Sequence, residues 1–237
     1  MAKLVQKSGY IKSGKASGYM RYIATREGVE KLAGNGAVTK GQRELIQKLL
    51  TDFPDAVELF EYEDYCKTPT LGTASAFISM ALDANLHEID SESGYMQYIA
   101  TRPRVQKRGT HGLFSSATAV DLASAMSELE AHEGNVWTII YSLRREDAAR
   151  LEYDNADAWR TLLMENAPAL AKSMKISLDN FHWYAAFHNE GHHPHIHMMV
   201  WSDDPKEGFL TKGGIAAIRS KLTNAIFRDE MQQIYER

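Results

Sequence analysis

The sequence predicts an α+β fold: a central, mostly antiparallel sheet with helices packed on it, and a helical, acidic insertion near the N-terminus. Three observations lead there. Residues 136–143 (Val-Trp-Thr-Ile-Ile-Tyr-Ser-Leu) are β-branched and aromatic, as a central strand requires. Residues 180–188 and 195–202 are two further strand-like runs joined only by the loop 189–194, too short for the crossover that a parallel pair needs. Segments of helical period separate the other strands.

Taken in order, residues 3–12 read as a strand, and 41–52 (with Gln-Arg-Glu-Leu-Ile-Gln-Lys-Leu-Leu) have a helical period. Residues 73–86 read as a buried helix. Residues 121–132 are amphipathic, with Leu122, Ala125, Met126 and Leu129 on one stripe, closed by Glu133-Gly134-Asn135 as a stop signal. Helices follow at 145–151 and 157–173, then the two late strands, then a last helix over 212–235. With 237 residues, 44% of them hydrophobic, the chain suits one compact domain rather than disorder. Within it, 1–93 holds the insertion and 94–237 the core.

The net charge of −4 hides a segregated distribution. Residues 1–48 carry ten Lys/Arg against three acids, and 49–93 one Lys against ten acids. Residues 94–113 hold Arg102, Arg104, Lys107 and Arg108 with no acid, 114–165 are acidic again, and the remainder balances. Each basic block contains the same motif. Ser17-Gly-Tyr-Met-Arg-Tyr-Ile-Ala-Thr-Arg26 recurs as Ser93-Gly-Tyr-Met-Gln-Tyr-Ile-Ala-Thr-Arg102, nine of ten residues identical. Two copies make no solenoid, so this is a reused local element, a short helix or helix edge. At helical spacing Tyr19/Tyr22 and Tyr95/Tyr98 are neighbours on one face, with Arg26 and Arg102 one turn beyond. Tyr19 and Tyr95 fit an aromatic core stripe as well as a site; Tyr22 and Tyr98 are each followed by a cation able to hold a phosphate.

Five of the nine histidines fall within ten residues: His188, His192, His193, His195 and His197. In a strand, residues two apart share a face, so His195 and His197 project together while Ile196 enters the core. Pro194 fits only at the start of that strand. His188 ends the preceding strand, and the short loop returns the chain so that the three imidazoles meet. All-His ligation suits Zn, Mn, Fe, Co or Ni and leaves open positions for water or a phosphoryl oxygen. Glu190 is placed to accept a ring N–H and orient a ligand. His192 and His193 read as peripheral, and His87, His111, His132 and His182 as structural or surface residues. The single cysteine, Cys66, forms no internal disulfide and no thiolate cage, so a metal must sit on His and carboxylates in a cytoplasmic protein. The apolar runs are too short to span a membrane, and no apolar signal core opens the chain.

These residues resemble the HUH relaxases, specifically the MobP class of mobilisation and conjugation endonucleases of Gram-positive mobile elements. That family's third motif is a His, an acid two residues on, then Pro-His-hydrophobic-His, matched by His188, Glu190, Pro194, His195, Ile196 and His197. The family's acid is usually Asp; here it is Glu190. The first motif, a tyrosine in a Tyr-Ile-(Thr/Ala) context followed by basic residues, is similar to both Tyr22-Ile-Ala-Thr and Tyr98-Ile-Ala-Thr. The resemblance spans most of the chain and is strongest over 94–235.

The resemblance implies a metal-dependent, strand-specific endonuclease that nicks single-stranded origin-of-transfer DNA. A tyrosine attacks phosphorus, leaves a 5′-phosphotyrosine and a free 3′-OH, and rejoins the strand without ATP. It further implies a divalent metal, Mn²⁺ or Mg²⁺ first and Zn²⁺, Co²⁺ or Ni²⁺ as alternatives, held by His188, His195 and His197. Accessory relaxosome and coupling proteins are implied as partners. A phenol of pKa about 10 is scarcely ionised at neutral pH, so Arg102, Arg104, Lys107 and Arg108 beside Tyr98, and Arg26 beside Tyr22, are expected to assist ionisation and grip DNA. Family order places the nucleophile upstream of a Gly-containing segment, an amphipathic helix and a central strand. Tyr98 has that arrangement directly after it, whereas a long acidic insertion follows Tyr22, so Tyr98 is the preferred nucleophile, Tyr22 the second, and their partners Tyr19 and Tyr95 come after both. Competing readings are an HUH replication initiator, with Tyr235 as its tyrosine, a phosphoesterase that activates water, and a DNA-binding module with a structural metal.

Overall fold

The computed structural model describes residues 3–10, 35–85, 92–101, 105–190 and 193–228. The chain divides into two compact units, Met1–Ile11 with Glu92–Arg237, and Lys12–Ser91. The second interrupts the first, whose opening strand comes from the N-terminus.

In chain order the regular elements are β1 (Val5–Tyr10), α1 (Lys40–Asp52), α2 (Phe60–Lys67), α3 (Leu71–Ala84), α4 (Glu92–Thr101), β2 (Leu113–Phe114), α5 (Leu122–Glu130), β3 (Trp137–Ser142), α6 (Arg145–Arg150), α7 (Ala156–Ser173), β4 (Phe181–His188), β5 (His195–Ser202) and α8 (Lys212–Ile226). The fold is α+β. Its five-stranded sheet has the order β1-β3-β5-β4-β2, with every neighbouring pair antiparallel. Helix α8 is shorter than the pattern predicts, and residues from 229 on, including Tyr235, lie outside the described residues. The sequence reading missed α2 and the two-residue β2, each too short for periodicity to register.

Strand β5 is central, and all eight of its residues are buried. A strand covered on both faces has no polar side, so His195, His197, Met199 and Trp201 share one face while Ile196, Met198 and Val200 share the other. The second set joins Ile139, Tyr141, Trp183, Ala185 and Phe187 in the main core, against Trp159, Leu162, Leu163 and Leu170 of α7 and Ile218, Leu222 and Ile226 of α8. These helix positions recur every three or four residues, which gives each helix one apolar stripe to bury. Helices α4 and α5 cover the histidine face. Tyr184 on that face donates to Glu128 of α5 (2.8 Å), and α4 reaches the histidines directly, as described below.

In the other unit, α1 opens with a capping box in which Thr39 and Gln42 satisfy each other's backbone N–H groups. Gln42 then donates to Leu71 O (3.0 Å) and Ser75 Oγ (2.8 Å), tying α1 to α3. Ile46, Leu49, Phe53, Leu59, Phe60, Phe77 and Leu82 are buried. Asp55 and Glu58 are exposed on the short turn of helix Pro54–Glu58 between α1 and α2, and Glu63 and Asp64 of α2 are half-buried.

Candidate active site

The hairpin of β4 and β5 sets the site. His188 and His195 stand directly opposite each other in the ladder, and His197 lies two residues on, opposite Ala186. Cross-strand partners share a face with Cβ atoms about 4.5–5.5 Å apart, so register alone gathers the three rings. Their centroids are 5.2 Å (His188 to His195), 4.6 Å (His188 to His197) and 5.1 Å (His195 to His197) apart. One ligand nitrogen from each falls within 4.8 Å of the other two, and all three residues are buried. Pro194 immediately precedes β5, as predicted, and its carbonyl accepts from Leu143 N (3.2 Å).

In each imidazole one nitrogen is held. His188 Nε2 donates to Ile99 O (2.8 Å) and His195 Nδ1 donates to His193 O (3.0 Å). Carbonyls only accept, so these bonds fix both tautomers and leave His188 Nδ1 and His195 Nε2 with their lone pairs. His197 Nδ1 shares a hydrogen bond with the Tyr95 hydroxyl (3.0 Å), and Nε2 is the nitrogen this bond does not engage. Three imidazoles oriented from behind, with their other nitrogens close together, are a donor set suited to a divalent transition metal.

Helix α4 passes over the triad and contains the second tyrosine repeat. Tyr95, Met96, Ile99 and Ala100 are buried, and Gln97 and Thr101 are exposed. Tyr98 sits on the border of the buried stripe beside Tyr95 and is partly exposed. It therefore lies within one turn of both points where the helix holds a histidine. Tyr95 is 1% exposed and its hydroxyl is against a ring, so the pair divides into one enclosed and one partly exposed tyrosine. Burial pushes up the Tyr141 and Tyr184 phenols, and the Glu128 carboxylate that Tyr184 faces raises it further, so neither is poised to ionise.

Tyr22, Arg26, Arg102 and Arg104 lie outside the described residues. Chain 105–108 returns beside the site: Val105 bridges to His188, and Gln106 N donates to Phe187 O (2.9 Å). Lys107 follows, exposed. Arg108 forms an ion pair with Asp157 at the start of α7. Glu190 stands half-buried in the β4–β5 loop; its carbonyl accepts from Arg145, which also donates to Asn189 Oδ1 (2.8 Å). The Ile99 and His193 carbonyls accept ring N–H groups of His188 and His195, and the Tyr95 hydroxyl faces Nδ1 of His197. Sequence reasoning left Tyr95 between core and site, and missed Arg145 and the two carbonyls. The repeated tyrosine spacing was the available signal for Tyr95; backbone acceptors leave none. His111 is structural: Leu113 N donates to its Nδ1 (3.1 Å), and its Nε2 donates to Val120 O (3.1 Å).

An antiparallel sheet that turns three imidazoles toward a tyrosine-bearing helix fits a DNA relaxase, an endonuclease and transesterase that nicks DNA during mobilisation and conjugation. The chain belongs to the MobL relaxases, whose family model matches residues 1–237. Searches of curated proteins and of solved structures return no significant match. Among the described residues, no helix is long and apolar enough to cross a membrane.

Proposed function

We propose that this relaxase is a metal-dependent tyrosine transesterase of the HUH type, closest to the MobP class, in which His188, His195 and His197 hold one divalent cation and Tyr98 attacks the scissile phosphate. The observation that carries the reading is the coincidence, at one place on the sheet, of a three-imidazole donor set with a partly exposed tyrosine one turn from its supports. A cation held there supplies positive charge to the non-bridging phosphate oxygens, which is where phosphoryl transfer needs it. The donor set is all imidazole, which favours Mn²⁺, Zn²⁺, Co²⁺ or Ni²⁺ over Mg²⁺.

In the cleavage step the Tyr98 phenol loses its proton to solvent or base, its oxygen bonds to phosphorus, and the bond from phosphorus to the 3′ oxygen breaks. The 3′ oxygen takes up a proton, and the 5′ phosphate remains on Tyr98. The phosphotyrosyl ester conserves the energy of the cut bond, so a 3′-OH can reverse the step. Arg102, Arg104 and Lys107 follow α4 in the sequence and grip the DNA backbone. Arg108 contributes through Asp157 by fixing that segment's course, and Arg26 belongs to the first copy of the motif with Tyr22 as its alternative nucleophile. Glu190 adds negative charge beside the ligand loop. The catalytic core occupies 94–237, completed by β1, and the enzyme works in the cytoplasm with relaxosome and coupling proteins.

The test is incubation with labelled single-stranded oligonucleotides tiling the origin of transfer, with Mn²⁺ and with EDTA. A covalent protein–DNA product that forms only with metal is expected. Nicking that leaves a free 5′ phosphate and no adduct points instead to activated water, and no metal-dependent product from any origin strand refutes the reading.

A further inference from the structure

The two rings fixed by carbonyls leave one question at the triad, the orientation of the third. His197 Nδ1 and the Tyr95 hydroxyl are 3.0 Å apart, and either can donate. If the phenol donates, the ring proton sits on Nε2 and that nitrogen has no lone pair to offer; if Nδ1–H donates, Nε2 is a ligand. The other two rings both carry their proton on the nitrogen turned away from the cluster. Tyr95 is 1% exposed and edge-on to the His197 ring (centroids 6.1 Å, interplanar 67°), so no reorientation of the phenol is free of cost.

We propose that Tyr95 is a positioning residue: its hydroxyl oxygen accepts the His197 Nδ1 proton and so directs Nε2 to the metal, while Tyr98, three residues on, performs the attack. This deepens the metal-site reading above and rests on it. The two tyrosines of one repeat thereby divide the work, the buried one orienting a ligand and the partly exposed one meeting DNA. Helix α4 in consequence holds two of the three ligands. Tyr95 acts through a side chain and Ile99 through a carbonyl, four residues apart on one face of the helix. Loss of the phenol oxygen frees His197 and leaves His188 held, so it weakens metal binding without abolishing it. Outer partners of metal-bound histidines are commonly worth about 10–100-fold in metal affinity.

The experiment is calorimetric titration of Mn²⁺ into the full chain and into Tyr95→Phe, Tyr98→Phe and Met96→Leu. Met96→Leu controls for disturbance of the same buried helix face, since Met96 is fully buried there. The expected result is affinity weakened about 10–100-fold in Tyr95→Phe and unchanged in the other two, with Tyr98→Phe alone abolishing the covalent adduct while binding metal normally. Wild-type affinity in Tyr95→Phe, or an equal loss in Met96→Leu, overturns the role of Tyr95 while leaving the metal site standing. A wild-type chain that binds no Mn²⁺ overturns the metal site itself. If Tyr95→Phe fails to fold, ¹⁵N NMR of the histidine rings in the wild-type chain decides: the proton of His197 on Nδ1 supports the proposal, and the proton on Nε2 refutes it.

Discussion

Ala186 faces His197 across the β4–β5 ladder and is fully buried. A larger side chain there enters the space of the imidazole. Overpacking a closed core costs about 1–3 kcal/mol, and at this position the strain falls on a proposed ligand. Ala186→Leu is expected to lower the denaturant midpoint and to weaken Mn²⁺ binding together, whereas Ala185→Leu, whose side chain faces the opposite core, is expected to lower stability alone. Parallel unfolding and metal titrations check this. At this scale the sequence was informative where chemistry follows from period two. His195 and His197 had to share a face, and the short loop had to bring back His188. It was uninformative where partners are backbone atoms or distant in the chain, as Ile99 is from His188 and Tyr95 from His197. Arg108 illustrates the other limit: its ion pair with Asp157, 49 residues away, has no local signal in the sequence.

Elements carry the site through close approach. Gly112 N donates to Ala100 O at the end of α4 (2.8 Å), and a Cβ on Gly112 would overlap the Val105 side chain. Val105 in turn bridges His188. Gly112→Ala is therefore expected to displace the segment between α4 and β2 and to reduce adduct formation, with the far side of the sheet unaffected by hydrogen exchange. A second element-level case is Glu207, whose carboxylate accepts from Ser202 Oγ (2.7 Å), Asn180 Nδ2 (3.2 Å) and Ser177 N (3.2 Å). These bonds, that from Ser202 first, hold its carboxyl below the usual glutamate range. A depressed pKa means that the stabilisation is present above the unfolded value of about 4.3 and is lost as pH falls through the lower folded value. Thermal unfolding from pH 6 to pH 2 is expected to show a shallower acid loss in Glu207→Gln than in the wild type. The strands and long helices were legible because their periods persist over a dozen residues or sit in β-branched runs. The turn that Glu207 organises depends on acceptors scattered over 177–207, and no local pattern reports it.

Across the whole molecule, the sheet separates two tasks. One face, packed by α7 and α8, supplies stability; the other, covered by α4 and α5, presents the histidine triad. Trp159 of α7 is fully buried in the stabilising core, so Trp159→Ala is expected to cost about 3–5 kcal/mol, read as a lower denaturant midpoint. The segregation of charge that net charge conceals was visible in the sequence and belongs to this scale, because DNA affinity is a sum over backbone contacts. Each cation that neutralises a phosphate of a single strand contributes about 0.7 to the salt slope of binding, and Lys107→Ala is expected to reduce the slope by that amount. Mass spectrometry of the covalent product decides whether a tyrosine of α4 beside the histidine triad performs the cleavage. After incubation with origin single strand and Mn²⁺, proteolysis is expected to yield a nucleotide-bearing peptide modified at Tyr98, absent from Tyr98→Phe and retained in Tyr22→Phe. Modification at Tyr22 or Tyr95 instead, or an undiminished adduct in Tyr98→Phe, rules out Tyr98 as the nucleophile.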